Sequence, residues 1–215
     1  VLGINARPKV AKVLSPVVTR LARSGITPDM VTLTGTLGSI AAAVFLIGTG
    51  HLFWGAFAVT LFVLLDMLDG ALARARGGGS LFGAVLDSTG DRASDAAIFA
   101  SLAWWFSGGG DNRLLVLLAL ICLVLGVLTS YVKARAEGVG LSADVGIVER
   151  TERLILVLVG TGFLGLGVPY ALHVALWLLL VGSAITVGQR FVAVHRAGRR
   201  PLPTADPVPP TTPAP

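Results

Sequence analysis

The chain has 215 residues, of which 54% are hydrophobic and only 13% charged, with a formal net charge of +5. That balance excludes an ordinary soluble domain and indicates an integral membrane protein. The positive excess could serve nucleic-acid binding, but the basic residues stand between or beside apolar runs, which is how membrane topology distributes them.

Residues 8–24 interleave Lys9, Lys12, Arg20 and Arg23 with apolar residues at roughly helical spacing. This predicts an amphipathic helix on the membrane surface, bent or broken at Pro16. Pro and Lys interrupt this start, so no cleavable signal peptide is expected. Thr27 suits a helix N-cap and Pro28 its first position. A first apolar run follows to about residue 48, with Gly35 and Gly38 placed for close packing against a neighbour. Further runs cover about 52–76, 81–106, 113–136, 149–166 and 169–195, separated by Gly-rich turns at 77–80 and 108–112 and a more polar connection at 137–148. Cys122 is the single cysteine, which excludes an intramolecular disulfide and a multi-cysteine zinc site.

The expected fold is an all-α integral membrane protein with six transmembrane helices preceded by a juxtamembrane amphipathic helix. Its parts are an N-terminal surface helix (1–24), a six-helix membrane domain (25–197) and a Pro-rich, disordered or extended tail (198–215). Six spans put both termini on one side. Nearly every basic residue from Arg7 to Arg200 falls on that side and Arg113 on the other, so the termini are expected in the cytoplasm. Trp54, Trp104 and Trp105 fall near the opposite interface, as an aromatic belt would.

Four acids of the second and third runs form two pairs: Asp66 and Asp69 at i and i+3, Asp87 and Asp91 at i and i+4. On helices each pair shares a face, with Cβ atoms about 5–6 Å apart. Charge in hydrocarbon is costly, so these acids indicate a site that handles cations, protons or both. Both pairs lie roughly 10–15 Å along their helices from the Gly-rich turn at 77–80, so they can face one another around a cavity open to the cytosol. Converging carboxylates repel unless cations sit between them, and hard oxygen ligands suit Mg²⁺, Mn²⁺ or Ca²⁺. Gly70, Ala73 and Gly83 beside the acids leave room for a flat or bulky ligand, and the cationic Arg74 follows Ala73 on the same helix. A proton or ion relay in a transporter is the competing reading, but no pair of broken helices marks the two halves of the sequence.

The string Asp66-x-x-Asp69-Gly70-x-x-Ala73-Arg74-x8-Gly83-x3-Asp87-x3-Asp91 resembles the signature of the CDP-alcohol phosphotransferase family, with all eight residues at the family's spacing. The resemblance covers roughly residues 25–195. It implies transfer of a phosphatidyl-type group from a CDP-linked lipid to an alcohol, with release of CMP. It further implies that Asp66, Asp69 and Asp87 hold a divalent metal, that Asp91 joins a second, and that Asp91 is the base for the acceptor hydroxyl. The cofactor is then Mg²⁺ or Mn²⁺, two ions per site, and the assembly a homodimer. The turn holding Asp29 and Thr32 borders the nucleotide in the family, with Asp29 standing where Asn is usual.

A second basic group, Lys133, Arg135, Arg153 and Arg190, follows Ser130 and Tyr131 on the same side. Topology explains some of these charges, but Arg153 and Arg190 lie inside apolar runs. Clustered cations suit a phosphate-bearing acceptor rather than a neutral one. The segments 130–138 and 146–154 resemble the actinobacterial phosphatidylinositol phosphate synthase branch of the family. That resemblance implies CDP-diacylglycerol and inositol phosphate as substrates, with Ser130, Lys133, Arg135, Arg153 and Arg190 at the acceptor phosphate. Glycerol phosphate enzymes carry similar stretches, so that acceptor stays open. His51, His173 and His195 are scattered and read as interfacial residues. Asp95, one turn past Asp91, can orient Arg92 or the site.

Overall fold

The computed structural model describes residues 26–75 and 78–199, apart from the side chains of Met67, Asp69 and Ala75. The expected surface helix at 1–24 and most of the Pro-rich tail lie outside the described residues. Within them the chain forms six long helices and no strand: α1 (Pro28–Ala42, continued by a π-helical turn, Ala43–Ile47), α2 (Leu52–Ala75), α3 (Leu81–Ser107), α4 (Arg113–Glu137), α5 (Arg150–Gly165) and α6 (Ala171–Ala197).

Local chemistry sets the boundaries. The Thr27 hydroxyl accepts from the Met30 N–H at 3.3 Å, with Pro28 opening the helix behind it. Ser80 accepts from Gly83 N–H at 2.8 Å, and Asn112 from Leu115 N–H at 3.1 Å. Before α5 the Glu152 carboxylate reaches back to the Glu149 N–H at 3.2 Å, half of a capping box. Gly50 turns the chain between α1 and α2 at φ 88°, and a Cβ there would meet the Trp105 ring at 2.4 Å.

The helices close into a ring. α1 packs on α2 and α3, α3 on α4, α4 on α6, α6 on α5, and α5 back on α2. The expected facing hairpin of the second and third runs is therefore modified: α1 wedges between α2 and α3. The ring has two unlike halves. Ile47, Val59, Ile98, Phe99, Leu102, Leu115, Leu118, Leu172 and Leu179 fill one half and are at most 2% exposed. Towards the other end five of the helices carry buried polar groups: Thr32 and Ser39 in α1, Asp95 in α3, Thr129 in α4, Arg153 in α5, Thr186 and Arg190 in α6.

Large apolar side chains cover the outside, with Phe45, Phe82 and Trp104 each more than 60% exposed. Such a surface is suited to lipid. Four helices are long and apolar enough to cross a membrane: Pro28–Ile47, Leu52–Arg74, Arg113–Glu137 and Ala171–Ala197. The other two fall short of that measure for identifiable reasons. α3 carries Asp87, Asp91, Arg92 and Asp95 within its first fifteen residues. α5 has 16 residues, or about 24 Å against a ~30 Å hydrocarbon core.

Candidate active site

Carboxylate oxygens of Asp66, Asp87 and Asp91 lie within 4.8 Å of one another. Asp69 occupies the next turn of α2 after Asp66; its side chain lies outside the described residues. α1 sets this convergence through glycines. A Cβ on Gly35 would lie 3.0 Å from the Asp66 Cβ, and one on Gly90 would lie 2.4 Å from the Thr36 hydroxyl. One on Gly83 would meet the Asp29 carboxylate at 2.9 Å and the Ser80 hydroxyl at 3.0 Å. Each glycine lets a carboxylate-bearing helix approach α1 by the width of a methyl group. At this spacing two ionised carboxylates repel by roughly 3–4 kcal/mol at an effective dielectric near 20. An all-oxygen donor set this compact fits a hard divalent cation, which removes that repulsion.

The space beside Gly83 is therefore filled by Asp29 and Ser80, whereas Gly70 stays open. Among the described residues, a Cβ at Gly70 would meet the Arg74 guanidinium alone, at an ordinary 3.5 Å. Ala73 is half-buried and Arg74 exposed on the same stretch. Thr32 is 4% exposed and its hydroxyl donates to the Pro28 carbonyl at 3.2 Å.

Behind the acids stands a network of guanidinium groups. Arg150 Nη1 lies 2.8 Å from Asp91 Oδ1, and Arg92 Nη2 lies 3.5 Å from Asp91 Oδ2. Arg92 also donates to the Ser130 hydroxyl. Asp95, 5% exposed, accepts on Oδ2 from Arg153 Nη2 at 2.6 Å and Nε at 3.2 Å. Asp95 thus orients Arg153, with Arg150 Nε 3.5 Å from its other oxygen.

These arginines wall a cavity of about 550 Å³ between α3, α4, α5 and α6. Arg92, Lys133, Arg150, Arg153 and Arg190 line it, opposed by Glu137 and Glu149 and accompanied by Ser130 and Tyr131. Arg190 is 3% exposed and donates to the carbonyls of Thr129 (2.5 Å) and Val145 (2.9 Å), with Glu149 at 3.4 Å. Lys133 Nζ lies 2.5 Å from Asp144 Oδ1. Hydrogen bonds from Ile147 and Val148 N–H to the Thr186 hydroxyl pin the connecting loop to α6. Of the expected acceptor residues, Ser130, Lys133, Arg153 and Arg190 meet at this cavity. Arg135 does not: it is exposed and absent from the lining, because residues two apart on a helix point in different directions. Arg92 and Arg150 line it instead. The sequence signal for Arg150 was its i, i+3 relation to Arg153; for Arg92 there was none beyond its place next to Asp91.

The histidines stay clear of these groups. His51 bonds Thr49 at 3.0 Å, His173 bonds Asn112 at 3.1 Å, and His195 lies 3.3 Å from Arg199.

The chain is similar to known proteins over most of its length. The family model for CDP-alcohol phosphatidyltransferase matches residues 25–188. A phosphatidylinositol phosphate synthase of Mycobacteroides abscessus is 54% identical over 194 residues, covering 90% of this chain and 88% of the relative. One of Streptomyces avermitilis is 47% identical over 202 residues, covering 91% and 83%. The crystal structure of the Mycobacterium tuberculosis phosphatidylinositol phosphate synthase with CDP-DAG bound superposes with a TM-score of 0.82 at 51% identity, covering 85% of this chain and 94% of that one. The structure of that enzyme in complex with manganese and citrate gives 0.81 at 52% identity, covering 84% and 88%. With the signature acids gathered on α2 and α3 and a family model spanning most of its length, the chain belongs to the CDP-alcohol phosphatidyltransferase family of membrane enzymes.

Proposed function

We propose that the chain transfers the phosphatidyl group of CDP-diacylglycerol to a hydroxyl of inositol phosphate, forming phosphatidylinositol phosphate and CMP. The observation that carries this reading is the adjacency of two sites: carboxylates within 4.8 Å of one another, and a cavity lined by five cationic side chains, two of which, Arg92 and Arg150, touch Asp91. The names of relatives at 47–54% identity support the acceptor.

Asp66, Asp69, Asp87 and Asp91 would hold two Mg²⁺ or Mn²⁺ ions; a relative's complex with manganese supports the metal class. When bound, the ions supply charge neutralisation for the diphosphate and acidity for the acceptor hydroxyl. Asp91 contacts Arg150 and Arg92, both of which line the cavity, and so it is the carboxylate placed to take the acceptor proton. The acceptor oxygen then bonds to the lipid-side phosphorus while the bond to the CMP oxygen breaks. Gly70, Ala73 and Arg74 offer the donor an open face on α2, and Asp29, Thr32 and Gly83 border it. Ser130, Lys133, Arg153 and Arg190, joined by Arg92 and Arg150, hold the acceptor's phosphate.

The decisive experiment measures CMP release by purified enzyme from CDP-diacylglycerol with inositol phosphate or glycerol 3-phosphate. Preference for glycerol 3-phosphate would overturn the acceptor; substrate flux in liposomes without CMP would indicate a transporter. On this reading all six helices span the plasma membrane and the cavity and both termini face the cytoplasm. The charge asymmetry supports that orientation, and labelling of cysteines placed at Asp111 and Ser142 from either side tests it. The homodimer rests on the family resemblance, and cross-linking in membranes tests it.

A further inference from the structure

We propose that Asp95, which lies outside the signature, is a positioning residue that sets the phosphate receptor on the acceptor side. This rests on the acceptor being phosphate-bearing, as proposed above. Asp95 sits one turn beyond Asp91 on α3 and never reaches the large cavity's lining. It acts through arginines that do. Its Oδ2 takes both Nε and Nη2 of Arg153, fixing the plane of that guanidinium. Arg153 Nη1 makes no hydrogen bond among the described residues, and Arg153 lines the cavity. The other oxygen, Oδ1, faces Arg150 Nε at 3.5 Å. Arg150 in turn touches Asp91.

A structural ion pair needs one cation for one anion. Here Asp91 and Asp95 face Arg92, Arg150 and Arg153, so positive charge is left over at the cavity wall even before a cation claims Asp91. Gly126 on α4 completes the seat. A Cβ there would lie 3.3 Å from the Arg153 guanidinium carbon and Nε, tighter than ordinary packing. The seat is thus built for a guanidinium in one orientation, and the residue that bonds it there is a buried carboxylate outside the cavity's lining.

The test compares wild type with Asp95→Asn, Asp95→Glu and Gly126→Ala, measuring KM for each substrate separately, the thermal shift given by Mn²⁺ alone, and calorimetric binding of inorganic phosphate. Asp95→Asn should raise the acceptor KM and weaken phosphate binding at least tenfold, with the CDP-diacylglycerol KM and the Mn²⁺ shift within twofold of wild type. Gly126→Ala keeps every charge and should raise the acceptor KM several-fold, and Asp95→Glu should recover part of the loss. If Asp95→Asn does not fold, Gly126→Ala decides. An acceptor KM within twofold of wild type, or equal rises in both KM values, overturns the proposal. If wild type turns over neither phosphate acceptor, the reading of function fails separately, and phosphate binding still decides the role of Asp95.

Discussion

The carboxylates come from neighbouring turns of two helices and are drawn together by backbone approach, with glycines of α1 and α3 standing where any side chain would separate them. The cations come from α3, α4, α5 and α6, and bonds to protein groups hold each in place: Arg153 to Asp95, Arg190 to two carbonyls, Lys133 to Asp144, Arg92 to Ser130. The acidic wall is thus set by steric fit and the cationic wall by polar tethers. A change of volume should damage the first, and a change of charge or hydrogen bonding the second.

The largest effect is expected at the junction of the two walls. Asp91→Asn should reduce CMP release by about 10²–10⁴-fold, the range for loss of a general base, and chelation should abolish turnover reversibly on return of Mg²⁺ or Mn²⁺. Full activity of this variant in a CMP-release assay would remove Asp91 from the role of base.

Arg153→Ala leaves Asp95 buried without its main partner and should destabilise the fold by about 3–5 kcal/mol, read as a lowered thermal midpoint in detergent. The double change Asp95→Leu with Arg153→Leu should restore most of that stability and none of the acceptor binding, separating tether from fold. Next come the steric contacts. Gly90→Ala places a methyl against Thr36 and should cost about 1–3 kcal/mol, with the Mn²⁺-induced thermal shift reduced because the carboxylates move apart. A conservative swap on the cationic wall, such as Lys133→Arg, should leave that shift unchanged.

The smallest effect belongs to the Lys133–Asp144 pair. The hydrogen bond and charge of Lys133 hold the Asp144 carboxyl below its usual range. The pair is therefore intact above the ordinary carboxylate pKa of about 3.9 and is lost only as pH falls through its lowered value. Acceptor KM should be insensitive to this pair between about pH 5 and 8. Asp144→Asn should release Lys133 and lower the acceptor KM by no more than about fivefold, as for other exposed pairs. A larger change would make the pair a determinant of acceptor binding.

Much of the acidic wall was legible in the sequence because helical spacing alone puts Asp66 with Asp69 and Asp87 with Asp91, and the caps at Thr27 and Pro28 announce α1. The six helices follow the six apolar runs to within a few residues. What spacing could not show was that α1, which bears no signature residue, stands between the two acidic helices. The cationic wall was less legible. Lys133 and Arg135 look equivalent in sequence, yet the helix turns Arg135 away. Arg150 looks like a topology charge, yet the fold carries it across to Asp91. Sequence distance explains the difference: the pairing of Asp95 with Arg153 joins residues 58 apart, and no local periodicity encodes it.

The wedge formed by α1 has a consequence for biogenesis. α1 is made before the two helices it spaces, so everything the acidic wall needs is synthesised by Ser107, the end of α3. The cationic wall waits for Arg190, about 80 residues later, or roughly 4–16 s at the usual rate of chain elongation. Until α5 is made, the fragment carrying the full acidic signature has Arg92 against Asp91 but not yet Arg150, and Asp95 still lacks Arg153. On the proposed reading, the residues of the cation site are therefore complete before those of the acceptor pocket.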